Sequence, residues 1–219
     1  MLLEHWRERW LRNEIGFHQD RVNPYLTRHW SRLALAAGAP VFVPLCGKSL
    51  DMLWLHRQGH PVLGIEVSPV AVKDFFAENG LHTAPVEVPP FSGWESDGLR
   101  LLCGDYFDLR PRHVEGIAAV YDRASMIALP EHLRGRYAEH LMELTWPLAK
   151  VLLVTLSYPG GEMTGPPFSV TEDEINQYYG KKYGVEQLED IDALEDNARF
   201  KEKGLTALRE SVYLLSPRT

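Results

Sequence analysis

Gly47-Lys48-Ser49 follows the apolar run 41–43, and a glycine, a lysine and a hydroxyl at the mouth of a strand are residue types that cradle phosphate. A phosphate-binding loop also needs a glycine five residues before the Gly-Lys pair, so that its backbone can fold around the phosphates. That position is Phe42, inside the apolar run. The dinucleotide fingerprint G-x-G-x-x-G fails as well, since Gly47 stands alone. What survives is a tight turn with one glycine where backbone can meet a ligand, and an acid about 20 positions on. Glu66 fills that place, at the end of the next apolar run, where a carboxylate accepts hydrogen bonds from a ribose diol. Asp105 is a second acid after a third run. Ribose and adenine recognition without a pyrophosphate cradle points to S-adenosylmethionine. The plainer reading makes Gly47 a turn glycine and Glu66 a surface charge at a strand end.

Other chemistries find less support. His56 and His60 flank Gly59 and lack the glutamate of a helical zinc motif, while His132 and His140 are eight apart on one expected helix, so no metal is expected. Cys46 lies beside the turn without an obvious partner base and reads as a small buried residue rather than a nucleophile. No G-x-S-x-G elbow is present, which removes the serine hydrolases.

These residues need elements to hold them at strand ends, and the hydrophobic periodicity supplies such elements. The pattern predicts an amphipathic helix over 2–15 (Leu2, Leu3, Trp6, Trp10) and a second from Asn23-Pro24 to Gly38. A buried strand over 40–44 precedes a helix over 49–59 with Ser49 as its N-cap and Gly59 as its stop. Strand 61–68 and helix 69–80, opened by Pro69, come next. A Pro-rich stretch from 84 to 98 interrupts the alternation. It resumes with strands 99–105 and 117–123, helix 130–144, strand 150–158 and helix 171–180. Two candidate strands, 184–192 and 207–215, close the chain with no clear helix between them and suggest an antiparallel edge hairpin. Helices alternating with continuous apolar strands indicate an α/β fold with a doubly wound, mostly parallel sheet. Ligands of such sheets bind at the carboxyl ends of the strands. The candidate residues stand there: Leu45-Cys46-Gly47, Glu66, Asp105-Tyr106 and Asp122-Arg123.

Composition bounds the rest. The chain has 219 residues, 45% of them hydrophobic and 24% charged, enough for one sizeable α/β domain. A net charge of −7 lacks the basic footprint of a nucleic-acid binder. No apolar stretch is long enough for a membrane span, and the first 20 residues lack the apolar core of a signal peptide. Two cysteines are too few for a disulfide framework, so a reducing cytoplasm is expected.

The segments "FHQ" (17–19), "VFVPLCGKSLDMLWL" (41–55), "GHPVLGIEVS" (59–68), "FDL" (107–109), "YDRASMIALP" (121–130), "SYPGGEMTGPPFSV" (157–170) and "VYLL" (212–215) together resemble the bacterial thiopurine S-methyltransferases, in order and end to end. The resemblance implies a class I S-adenosylmethionine-dependent fold: a seven-stranded sheet with an antiparallel C-terminal edge and an N-terminal helical cover. It implies one catalytic domain over 1–219, with 1–38 as cover and 39–219 as Rossmann-like core. It implies methyl transfer to the sulfur of a small aromatic or heterocyclic thiol, with selenium and tellurium species as further acceptors, by a monomer. Carried over position by position, Trp10 resembles a cofactor-contacting aromatic, with Trp6 one turn earlier on the same helix. Leu45 matches the turn residue whose backbone meets the cofactor, and Glu66 the ribose acid. Asp105 and Tyr106 stand where the family brackets adenine, and mammalian members carry smaller or aliphatic residues there. Arg123 matches a cofactor- and substrate-facing arginine, Phe17 lines the acceptor pocket, and the segment around Arg199 supplies a substrate-facing cation. Asp122 can take the thiol proton directly or through one water, or can serve as a structural ion-pair partner at the strand end. Two other readings keep the cofactor: methylation of a halide or small anion, and a non-catalytic cofactor-binding module.

Overall fold

The computed structural model describes residues 2–218, and the chain divides into two compact units. One holds the residues up to Arg28 with Leu35–Val120, the other His29–Ala34 with the residues from Tyr121 onward.

In the first unit, helix α1 (Leu2–Leu11) carries Glu4 in its first turn and Arg9 in its last, the polarity the helix dipole favours. It stops short of residue 15, because Asn13 takes a left-handed φ of 54° that ends the helical hydrogen bonding. The side chain of Leu2, which the periodicity sets on the apolar face, lies outside the described atoms. Helix α2 (Pro24–His29) begins where Asn23 Oδ1 accepts from the Tyr25 N–H at 2.9 Å. It passes into a 3-10 turn, Trp30–Leu33, and ends at Ala34 with φ 47°, before reaching Gly38.

Strand β1 (Val41–Val43) is buried at every position, and it lies parallel to β2 (Val62–Glu66), with Val41 opposite Val62 and Val43 opposite Gly64. Helix α3 (Asp51–Arg57) has Leu50 as its N-cap and so starts one residue later than a Ser49 cap implies. Ser49 Oγ instead accepts from the Asp51 N–H at 3.2 Å, just before the helix. Helix α4 (Pro69–Glu78) has the predicted Pro at its start, capped by Ser68, and α1 lies against it.

The Pro-rich stretch that reads as an interruption is a hairpin, β3 (Ala84–Val88) and β4 (Phe91–Ser96). Pro85 is tolerated because β3 is an edge strand. Gly93 is required, since a Cβ there would stand 2.2 Å from the Leu101 carbonyl oxygen. β4 pairs antiparallel with β5 (Leu99–Cys103), and β5 pairs parallel with β2. With β6 (Ala119–Arg123), whose first residues face β1, the order here is β3-β4-β5-β2-β1-β6.

The second unit opens with a short unpredicted helix, α5 (Ser125–Ala128), then α6 (Glu131–Thr145) and β7 (Lys150–Ser157). Helix α7 (Glu172–Tyr179) is started by Thr171 and Glu174, each accepting from the other's backbone N–H. Strands β8 (Tyr183–Asp192) and β9 (Arg209–Pro217) pair antiparallel as expected, but β9 sits between β7 and β8, and a short helix α8 (Ala198–Glu202) joins them. The described residues form nine strands rather than seven, the β3–β4 hairpin supplying the surplus.

Candidate active site

Parallel pairing of β1 with β2 sets their carboxyl ends side by side, and the chain leaving β1 is stitched to the end of β2. The turn uses two left-handed residues, Leu45 (φ 45°) and Gly47 (φ 54°). The Cys46 N–H donates to the Ile65 carbonyl at 3.0 Å. The Gly47 N–H donates to Glu66 Oε2 and the Ser68 N–H to Glu66 Oε1, both at 2.9 Å. Glu66 is 5% exposed, and burial pushes its carboxyl pKa up against the pull of those N–H groups. Each of its oxygens keeps a further lone pair.

The glycine at 47 has a steric reason. A Cβ there would lie 3.1 Å from the Trp10 ring, so the bare backbone lets the indole rest on the turn. Trp10 is buried and meets Phe17 edge to face at 5.6 Å, and Trp6 meets the same ring at 5.4 Å. The Arg9 guanidinium covers Phe17 at 5.6 Å, and Arg7 Nε donates to the Val67 carbonyl, which ties α1 to the end of β2. Trp10, Phe17, Leu45 and Glu66 therefore surround one turn or its immediate neighbours.

The end of β5 joins them, because the Gly104 N–H donates to the Glu66 carbonyl at 2.9 Å. Asp105 follows, its Oδ1 accepting from the Phe107 N–H at 2.9 Å to cap a 3-10 turn over Tyr106–Asp108. The Asp105 carboxylate is partly exposed, whereas the Tyr106 ring is buried and packs edge to face on Phe107 at 5.3 Å.

Lys48 settles the phosphate question. Its Nζ pairs with Glu78 Oε1 at 2.6 Å at the end of α4, and the lysine side chain is only 9% exposed. Cys46 is buried, and burial first, then the Glu66 charge, raises its thiol pKa well above the ordinary value, so it stays a thiol. Among the described residues, no group of three His, Cys, Asp or Glu side chains could hold a metal ion.

In the second unit, β6 ends on Asp122 and Arg123. Asp122 has no exposed surface, and its Oδ2 accepts from the Tyr137 hydroxyl of α6 at 2.7 Å. Burial lifts its pKa to about 6, against hydrogen bonds from Tyr137 and Ser125. Arg123 is partly buried and is followed by Ala124 at φ 71°. Arg199 is exposed on α8, its guanidinium 4.7 Å above the Phe200 ring, and Phe200 belongs to a cluster with Leu156, Tyr158, Leu205 and Leu208. The loop over 159–167 is pinned at both shoulders. Ser169 Oγ accepts from the Tyr158 N–H and donates to its carbonyl, and the Tyr158 hydroxyl donates to the Pro167 carbonyl at 2.8 Å. Glu162 accepts from both the N–H and the hydroxyl of Thr206.

Reasoning from sequence missed Tyr137, Thr206 and the buried Arg134–Glu174 pair at 2.7 Å. Only the "GPPFSV" segment signalled the last: Arg134 also lies under Phe168 and donates to the Leu129 carbonyl.

The family profile described as Thiopurine S-methyltransferase (TPMT) matches residues 1–218. The chain belongs to that family. A protein of Nitrosospira multiformis named thiopurine S-methyltransferase is 48% identical over 219 residues, covering 100% of both chains. One of the same name from Pseudomonas paraeruginosa is 50% identical over 215 residues, covering 98% of this chain and 99% of its own. Among solved structures, an S-adenosylmethionine-dependent methyltransferase from Anabaena variabilis aligns over 100% of this chain and 96% of its own. Its TM-score is 0.65 at 14% identity, which shows the shared fold.

By family and fold this is an S-adenosylmethionine-dependent methyltransferase. The first unit suits that cofactor, which carries no phosphate. Its only lysine beside the turn is committed to Glu78, while Glu66 keeps lone pairs for a diol.

Proposed function

We propose that the protein transfers the methyl group of S-adenosylmethionine to the sulfur of a thiopurine or a related small aromatic or heterocyclic thiol. The observation that carries this reading is full-length identity of 48% with a protein named for that reaction. The sulfonium cofactor supplies a methyl group already activated for transfer. What the protein must add is alignment of nucleophile, methyl carbon and leaving sulfur, an effect that can lower a barrier by about 7–11 kcal/mol.

In this reading Glu66 holds the ribose diol, the Leu45 backbone and the Trp10 ring flank the methionine portion, and Asp105 and Tyr106 bracket adenine. Tyr106 does so through its backbone, since its ring is buried. Phe17, Arg123 and Arg199 serve the acceptor. The Arg123 cation favours the thiolate by lowering the thiol pKa. Asp122 is the proton acceptor of the scheme. With no exposed surface it takes the proton through an intervening group and not by direct contact. Soft selenium and tellurium nucleophiles fall within the same acceptor chemistry. The reading further takes residues 1–219 as one catalytic domain, 1–38 its cover and 39–219 its core, working as a monomer in the cytoplasm without nucleic-acid partners. None of the helices among the described residues is long and apolar enough to cross a membrane.

The test is calorimetric titration with S-adenosylhomocysteine of the wild type beside Glu66→Ala, followed by a screen of thiol, selenol and tellurite acceptors. Binding that collapses in the variant, with methylated aromatic thiol from the wild type, supports the reading. Absence of heat in the wild type would sink it.

A further inference from the structure

The carboxyl end of β6 is held by two elements, α6 and β7. Asp122 is anchored through its side chain to α6, because the Tyr137 hydroxyl donates to Oδ2 at 2.7 Å with both residues fully buried. Ser125, at the start of α5, also favours the ionised carboxyl, whose buried Oδ1 has no hydrogen-bond partner among the described residues. Between these two residues Ala124 takes a left-handed φ of 71°, an arrangement that costs a non-glycine residue free energy and persists only where its surroundings impose it. The Ala124 N–H points to the Val154 carbonyl of β7 at 3.5 Å. Arg123 is the single residue between the anchored Asp122 and the strained Ala124. Its backbone direction is therefore decided by contacts that its neighbours make.

Phenylalanine in place of Tyr137 would fill the same core volume without a hydroxyl to satisfy. At this position the hydroxyl donates to an oxygen of Asp122.

We propose that Tyr137 is a positioning residue for methyl transfer: its hydroxyl, donated to Asp122 Oδ2, fixes the strand-end turn that presents Arg123. The inference rests on the acceptor role given to Arg123 above. The charged and titratable groups around Asp122 are few. Arg123 adjoins it on β6, Ser125 faces it from α5, Tyr137 from α6, and Tyr179 of α7 feels its charge. Loss of the Tyr137 donor therefore removes the largest of the influences that favour the ionised carboxyl.

The experiment compares wild type, Tyr137→Phe, Asp122→Asn and the double variant. It measures kcat and KM for methylation of thiophenol over pH 5–9, and the dissociation constant of S-adenosylhomocysteine. The Tyr137→Phe protein is expected to bind S-adenosylhomocysteine within about twofold of wild type while kcat falls about tenfold, as small misplacements of reacting groups do. The acid limb of its kcat profile is expected to move to higher pH. Ionisation of thiophenol is common to all four proteins and cancels in the comparison. The double variant should be no worse than Asp122→Asn, because the two side chains act as one unit. That last comparison decides the matter even if Tyr137→Phe alone fails to fold, since the neutral amide needs the hydroxyl less. Wild-type kcat and an unmoved profile in Tyr137→Phe overturn the inference, as does a further tenfold loss in the double variant. So does a fall in cofactor affinity parallel to kcat, which would mark a general structural defect. If the wild type binds S-adenosylhomocysteine but methylates no thiol, the proposed function falls and takes this inference with it. If the wild type methylates thiophenol and Tyr137→Phe matches it, this inference alone falls.

Discussion

Two buried carboxyls close two strand ends in this protein, and they are wired differently. Glu66, the last residue of β2, accepts from backbone N–H groups on both oxygens, those of Gly47 and Ser68. Asp122, at the end of β6, takes the Tyr137 hydroxyl on Oδ2, while its buried Oδ1 has no hydrogen-bond partner among the described residues. Burial raises the pKa of both. A backbone N–H can only donate, so the group facing it must accept. A hydroxyl can do either and will turn to suit a changed partner. The Glu66 site is therefore rigid toward substitution, and the Asp122 site adaptable.

The same acid-to-amide change at each position should expose that difference. Glu66→Gln places an amide NH2 against a backbone donor, and should cost about 2–3 kcal/mol of stability, leaving a buried donor unpaired. Thermal unfolding should register this as a loss of about 5–10 °C for a chain of this size, together with weakened S-adenosylhomocysteine binding. An unchanged melting temperature would break the comparison.

Asp122→Asn should behave in the opposite sense as pH rises. The folded-state pKa of Asp122 is lifted from 3.8 to about 6, so the folded protein binds the proton more tightly than the unfolded chain does. Stability from this group is present below the unfolded value and is lost as pH climbs through about 6. The asparagine has no such loss. Its stability relative to wild type should improve by about 2–3 kcal/mol between pH 4 and pH 7, measured by denaturant unfolding at each pH. A difference that does not vary with pH would show that Asp122 is not held protonated by the fold.

Smaller effects sharpen the picture of the turn itself. Gly47→Ala forces a Cβ into a left-handed residue and against the Trp10 ring 3.1 Å away. It should destabilise by about 1–2 kcal/mol and weaken cofactor binding by displacing the indole. Leu45→Gly relieves the other left-handed residue at φ 45° but frees the unfolded chain, and the two effects should cancel to within about 1 kcal/mol in a melting experiment. Asymmetry between these two substitutions would show that Trp10 contact, and not backbone strain, sets the cost at position 47.

Much of the fold was legible because its signals are local. Pro69 and Gly80 bracket α4, Thr171 with Glu174 opens α7, and uninterrupted apolar runs such as 41–43 mark strands covered on both faces. The β3–β4 hairpin was not legible, since prolines argue against a strand until its edge position is known. Helix α8 was too short to show a period. The Ser49 cap failed because a serine two residues ahead of the first turn has the same composition as one directly before it.

The candidate site divides along the same line. Glu66 could be found by counting, 19 residues after Gly47, because a parallel strand-turn-helix-strand unit returns the chain to its neighbour after a nearly fixed length. Sequence by itself thus determined the alternation of elements, the strand ends that carry the acids, and the family. Tertiary structure alone decided the partners: Glu78 for Lys48, Tyr137 for Asp122, and the Trp10 ring against Gly47. Those contacts join residues whose separation along the chain follows no period, so only the packing of helices on the sheet brings them together.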